Sequence, residues 1–242
     1  MRISHKYKYI YFAVPKCGSS AVREALNSTS DVLPNHHDGG AALNVIRDRG
    51  NTTMVEDKHL HHHFSMKEVI DWCAKRQVNL NDYTMFALIR NPWSRVVSHY
   101  KYMRIKSQIY GQHVRGETDM VDLMLNQAAI KYSKNCYDFF TANKINSFIR
   151  WANVTHDKRK HLPNYTDLLT HNGVELDCIG RTENSQPFMD QMCDRLKMPR
   201  VKLQKLNTTN VKPYWKYYDA HTQNLVGELY HEDIIKHKFK YK

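Results

Sequence analysis

Two short apolar runs constrain this chain most, because each ends abruptly in a polar loop and then feeds a helix. Tyr9 to Val14 (YIYFAV) is aromatic and β-branched, and Pro15 stops it. Lys16 to Ser20 is small and polar, and Ala21 to Leu26 then reads as a helix start. Met85 to Ile89 (MFALI) repeats the pattern: Asn91-Pro92-Trp93 turns the chain into a helix expected from about Ser94 to Arg104. Buried strands that each run into a helix predict an α/β fold with a central parallel sheet flanked by helices. Such sheets bind ligands beyond the C-terminal ends of their strands.

The rest of the chain fits that frame. Ser65-Met66-Lys67-Glu68 is a capping box that opens a helix through about Arg76. Apolar spacing predicts helices near 119–131 and 144–152, over Gln186–Lys197 and, as a last long one, over His221–Tyr230. Val174–Ile179 reads as a short strand, Gly111–Gly116 as a loop, and residues 28–57, rich in Gly, Asn and Asp, as a long irregular connection. With 242 residues, no repeat and no low-complexity linker, the expectation is one domain over 1–242.

Composition narrows the function. Lys+Arg is 36 against 24 Asp+Glu, a formal charge of +12, which favours an anionic partner or simply a solubilising surface. No run approaches the ~18 apolar residues of a membrane span. Met1 to Lys8 has neither the apolar core nor the small-residue cleavage site of a secretory signal, so the expected location is cytoplasmic, without membrane association. The five N-x-[ST] sequons, at Asn27, Asn51, Asn153, Asn164 and Asn207, are then a by-product of an Asn-rich sequence. Cys17, Cys73, Cys136, Cys178 and Cys193 are odd in number, widely spaced and free of C-x-x-C, which predicts neither disulfides nor a zinc site, and no metal is expected.

Two constellations carry chemistry. In Val14-Pro15-Lys16-Cys17-Gly18-Ser19-Ser20 a strand ends, a loop exposes backbone N–H groups and a helix begins, the arrangement of an anion site. Gly18 permits close approach, Ser19 and Ser20 offer hydroxyls, and Lys16 adds a point charge. The lysine precedes the glycine, so this is not G-x-x-x-x-G-K-[ST]. A plain strand–turn–helix with an exposed lysine would read the same. In the second, Arg90 ends a buried strand and Ser98 follows eight residues later in the next helix. Such an arginine can grip a phosphate through its fork. Arg90 and Arg95 could equally form surface ion pairs.

Together the two resemble the nucleotide-binding motifs of the sulfotransferases that use 3′-phosphoadenosine 5′-phosphosulfate (PAPS). The first is similar to their 5′-phosphosulfate loop, and the second to their 3′-phosphate motif. The form R-N-P-W-x-R-x-x-S-x-Y resembles the carbohydrate branch most closely, that of chondroitin and HNK-1-type glycans and, more distantly, heparan sulfate 2-O-sulfotransferase. Lys58-His59-Leu60, Ile179-Gly180-Arg181-Thr182-Glu183-Asn184, Asn207–Tyr218 and Leu225–Phe239 resemble further family segments. Similarity is weakest over 28–57 and 105–170, where acceptor recognition is expected.

The resemblance implies a P-loop-like three-layer sandwich and sulfuryl transfer from PAPS to a hydroxyl acceptor, most plausibly a glycan and anionic if the basic surface serves it, leaving the bisphosphate PAP. It assigns Pro15, Lys16, Cys17, Gly18, Ser19, Ser20, Arg90, Ser98 and Lys212 to the nucleotide, and Lys16 also to charge on the leaving phosphate. Proton removal calls for a base titrating near neutrality. Within His59-Leu60-His61-His62-His63, His59 matches the family position and His61 is second; an acid in 28–57 stays open. Arg181 and Glu183 form either a buried pair at the cofactor pocket or a structural pair at the sheet edge. Two rival classes remain: a P-loop kinase-like phosphotransferase, disfavoured because its strand should end in a magnesium-binding acid rather than Arg90, and a non-catalytic polyanion- or nucleic-acid-binding protein, for which no known module is present.

Overall fold

Burial of every residue in Tyr9–Phe12 marks an interior strand covered on both faces. A computed structural model describes residues 1–33, 43–48, 51–56, 63–118, 127–155, 162–204 and 212–242. Its strands are β1 (Arg2–Ser4), β2 (Tyr9–Phe12), β3 (Val32–Leu33), β4 (Leu43–Asp48), β5 (Asn51–Glu56), β6 (Thr84–Ile89) and β7 (Cys178–Arg181). They form one sheet in the order β5-β4-β3-β1-β2-β6-β7. The pairs β2–β6 and β6–β7 are parallel, in register at Phe12↔Ala87 and Ile89↔Arg181. The other four pairs are antiparallel, so the expected parallel sheet holds for three strands and gives way to a mixed one beyond β2.

The antiparallel half comes from segments that look unlike strands. Met1–Lys8 is basic, yet β1 is buried and the Arg2 guanidinium is held by the Arg23 carbonyl (3.2 Å) and Asn27 Oδ1 (3.0 Å). The expected irregular stretch 28–57 instead contributes β3, β4 and β5, and Asp48↔Asn51 closes a hairpin.

Helices α1 (Ser19–Ala25), α2 (Met66–Lys75), α6 (Tyr165–Leu169) and α7 (Ser185–Arg195) belong with the sheet in a first unit. One sheet face buries Tyr9, Tyr11, Phe86 and Leu88 with Val22 of α1 and Met189 and Met192 of α7. Each large side chain so buried contributes about 1.5–3 kcal/mol. The alternate residues Ile10, Phe12, Ala87 and Ile89 are buried too, which explains the unbroken apolar runs. The capping box at Ser65 is present, with Ser65 N–H donating to Glu68 Oε2 at 2.7 Å.

The second unit holds α3 (Pro92–Val114), α4 (Gln127–Ala142), α5 (Phe148–Val154), α8 (Ala220–Leu229) and α9 (His231–Lys236) around Trp93, Val96, Tyr100, Phe140, Phe148, Trp151 and Tyr230. Asn91 caps α3 by accepting from Trp93 N–H (3.1 Å), with Pro92 in the first turn. This helix runs on through the predicted 111–116 loop as far as Val114. Gly111 is buried there, where a Cβ would lie 3.1 Å from the Tyr137 ring of α4, so the glycine serves close helix packing.

Other boundaries shift. Helix α4 extends to Ala142, α5 begins at Phe148 rather than 144, β7 starts four residues later than Val174, and α9 follows the helix expected to be last. Tyr214, Tyr217 and Tyr218 pack on the second core. All five cysteines are free, and no helix of the described residues is long and apolar enough to cross a membrane.

Candidate functional site

The three parallel strands end on one edge, and the segments beyond them meet there. After β2 the chain turns through Lys16 (φ 64°) and Gly18 (φ 70°), both left-handed. That conformation costs a lysine about 1 kcal/mol or more, and between the two residues Cys17 N–H closes the turn on the Val14 carbonyl at 3.3 Å. Gly18 and Ser20 are exposed, Pro15 and Lys16 are half-buried, and Cys17 and Ser19 are buried. A Cβ on Gly18 would meet only the Thr182 methyl, at 3.5 Å, so the turn is open on its outer side.

Arg90 follows β6 directly. Its Nη1 donates to the Lys16 carbonyl at 3.4 Å, which brings Arg90 and the Lys16 turn together at neighbouring strand ends. Thr182, beyond β7, donates its hydroxyl to the Ile89 carbonyl at 3.0 Å. Tyr165 of α6 accepts from Arg90 N–H (3.1 Å) and donates to Arg90 C=O (2.5 Å). Its oxygen also lies 3.6 Å from Cys17 Sγ.

His63 stands at the end of β2, hydrogen-bonded through Nδ1 to the Ala13 carbonyl. A carbonyl only accepts, so Nδ1 carries the proton and the basic lone pair sits on Nε2. Behind the turn, burial lowers the Arg23 guanidinium of α1 below its ordinary value, and burial with the neighbouring Arg23 charge lowers Arg2 to about 10. Burial raises the Tyr11 phenol, which therefore stays neutral. Among the described residues no three His, Cys, Asp or Glu side chains are placed to hold a metal ion.

The remaining expected residues are placed as follows. Ser98 is half-buried in α3 and Lys212 is exposed ahead of Tyr214, both in the second unit. Arg95 of α3 is 1% exposed, so it is no surface ion-pair partner. Arg181 and Glu183 are both exposed, which removes the buried-pair reading. His59 and His61 lie outside the described residues, as does Lys58. The sequence does not single out His63, Thr182 or Tyr165 as site residues. His63 stands in the histidine run 59–63 and Thr182 in the Ile179–Asn184 segment, whereas Tyr165 has no signal beyond following Pro163-Asn164.

A basic, glycine-containing turn and an arginine at adjacent parallel strand ends place this chain among the α/β proteins with a candidate site at the C-terminal edge of the sheet. The model of the sulfotransferase family matches residues 1–241. The chain belongs to that family. No curated protein and no solved structure matches it. Membership supports transfer of a sulfuryl group to a hydroxyl-bearing acceptor.

Proposed function

We propose that this chain is a PAPS-dependent sulfotransferase, one catalytic domain acting on a carbohydrate hydroxyl. The observation that carries this reading is the Arg90 guanidinium set against the Lys16 turn at the C-terminal edge of parallel strands. Two cationic side chains and an open glycine turn fit a nucleotide with phosphate at both ends. When bound, PAPS supplies a sulfuryl group whose departure leaves negative charge on a phosphate oxygen. Lys16 and the amides from Gly18 to Ser20 hold and neutralise that end. Arg90 holds the 3′-phosphate through its guanidinium fork.

A histidine takes the acceptor's hydroxyl proton. His59 and His61 are candidates by resemblance. His63 joins them because its Nδ1 is bonded to the Ala13 carbonyl, where β2 runs into the Lys16 turn. The carbohydrate assignment rests on the motif style, and an acidic glycan would match the +12 charge.

Isothermal titration with adenosine 3′,5′-bisphosphate tests the reading. The wild type is expected to bind with a Kd of about 1 μM or tighter, near −8 kcal/mol, and to bind ATP–Mg far more weakly. Lys16→Ala and Arg90→Ala weaken that binding. Among His59→Ala, His61→Ala and His63→Ala, the base variant loses about 100- to 10,000-fold in transfer from labelled PAPS to a panel of polysaccharides, with nucleotide binding nearly intact. Binding of ATP–Mg without binding of the bisphosphate would sink the proposal.

A further inference from the structure

We infer that Tyr165 is a positioning residue of the donor site, a strut that holds Arg90 and the Lys16–Cys17 turn in one fixed arrangement. The inference rests on the donor reading above. It starts from a backbone accounting problem. The parallel ladder of β6 with β7 ends at Ile89↔Arg181, so Arg90 is the first residue past it. Its N–H and C=O leave the sheet just where its side chain must be aimed. The phenol of Tyr165 takes both, accepting at 3.1 Å and donating at 2.5 Å, and so stands in for a further strand residue.

One phenol has one proton and two lone pairs. With the proton given to the Arg90 carbonyl, a lone pair beyond the one facing the Arg90 amide is directed at Cys17, 3.6 Å away. The Cys17 thiol lies equally far, 3.6 Å, from the Pro15 carbonyl, so its single proton is shared between the turn's own backbone and the phenol. Tyr165 is 1% exposed and Cys17 fully buried, which keeps these bonds out of competition with water. The strut joins residues 75 and 148 positions apart in the chain. Tyr165 is buried, so it acts on ligands through the Arg90 and Cys17 groups that it contacts.

The chemistry at stake is orientation. A guanidinium grips phosphate well only when its planar fork is aligned, and small displacements of a binding group are costly. Tyr165→Phe keeps the ring and its packing but removes the oxygen that sets the Arg90 peptide. A Tyr165 that merely fills space would tolerate this change without altering nucleotide recognition.

The test is a double-mutant cycle on the full chain, read by titration with adenosine 3′,5′-bisphosphate. Tyr165→Phe alone is expected to weaken binding by about tenfold. In the Arg90→Ala background the same change is expected to cost less than about threefold, because the group it positions is gone. Binding within twofold of wild type, or an equal loss in both backgrounds, overturns the inference. Failure of the wild type to bind the bisphosphate overturns the donor reading and takes this inference with it. Hydrogen exchange on the unaltered chain needs no variant: the Arg90 amide should be protected although it lies past the strand, and free exchange there overturns the strut.

Discussion

Gly180 shows how much one residue can fix. It lies in β7, and a Cβ built on it would come within 2.3 Å of Phe188 Cγ and 2.6 Å of Cδ2, so the ring lies directly over the backbone. Phe188 in turn meets Phe86 of β6 at a centroid distance of 6.2 Å. In the segment Ile179-Gly180-Arg181-Thr182-Glu183-Asn184 the glycine is therefore a packing requirement of α7 on the sheet. Gly180→Ala should lower stability by about 1–3 kcal/mol, the usual cost of overpacking a fitted contact. Combined with Phe188→Ala, the alanine should cost clearly less than alone, because the ring it strikes is absent. Chemical denaturation of the four proteins of the cycle measures this; additive losses would show that the ring is not the obstacle.

At the scale of elements, the readable parts were those with a strong local cause. β2 and β6 were legible because burial on both faces gives continuous apolar runs, and α2 because its cap is spelled in four letters. β1 was not, since a buried strand carrying Arg2 depends on acceptors at Arg23 and Asn27 that no local pattern reveals. Helix α3 overran its predicted end because Gly111 reads as a breaker, and only the nearness of Tyr137 explains it. The same division holds for the site. Lys16, Gly18 and Arg90 sit at strand ends that the sequence marks, whereas Tyr165 reaches them from a five-residue helix through tertiary contacts alone. The cap of α2 gives a prediction with a functional edge, because Ser65 fixes the chain two residues after His63. Its hydroxyl accepts from Glu68 N–H at 3.4 Å and donates to Glu68 Oε2 at 2.7 Å. Ser65→Ala should cost about 1 kcal/mol, or a fall of about 2–4 °C in Tm. Ser65→Thr, whose hydroxyl can make both bonds, should largely restore it. An unchanged Tm for the alanine variant would mean that tertiary packing alone holds the helix start.

For the whole molecule, the charge of +12 sets a competition between attraction and self-repulsion. The ion pairs Lys67–Asp71, Arg115–Glu117, Lys134–Asp138 and Arg200–Asp194 join side chains that are at least half exposed. Such pairs are worth about 0–1 kcal/mol each. Against them, twelve net charges on a protein of this size carry self-energy on the order of 10 kcal/mol in unscreened water, much of it relieved on unfolding. Repulsion therefore wins at low salt. Raising NaCl from about 10 to 150 mM shortens the screening length from ~30 to ~8 Å, and Tm should rise by several degrees. A falling Tm would show that the surface pairs dominate instead. Sodium sulfate at equal ionic strength separates screening from occupancy of the proposed donor site. Sulfate also raises Tm by exclusion from the protein surface, equally in wild type and variants. An anion held by the Lys16 turn and Arg90 adds a further rise in the wild type, so the gap between the two salts should narrow in Lys16→Ala and Arg90→Ala while the NaCl response remains.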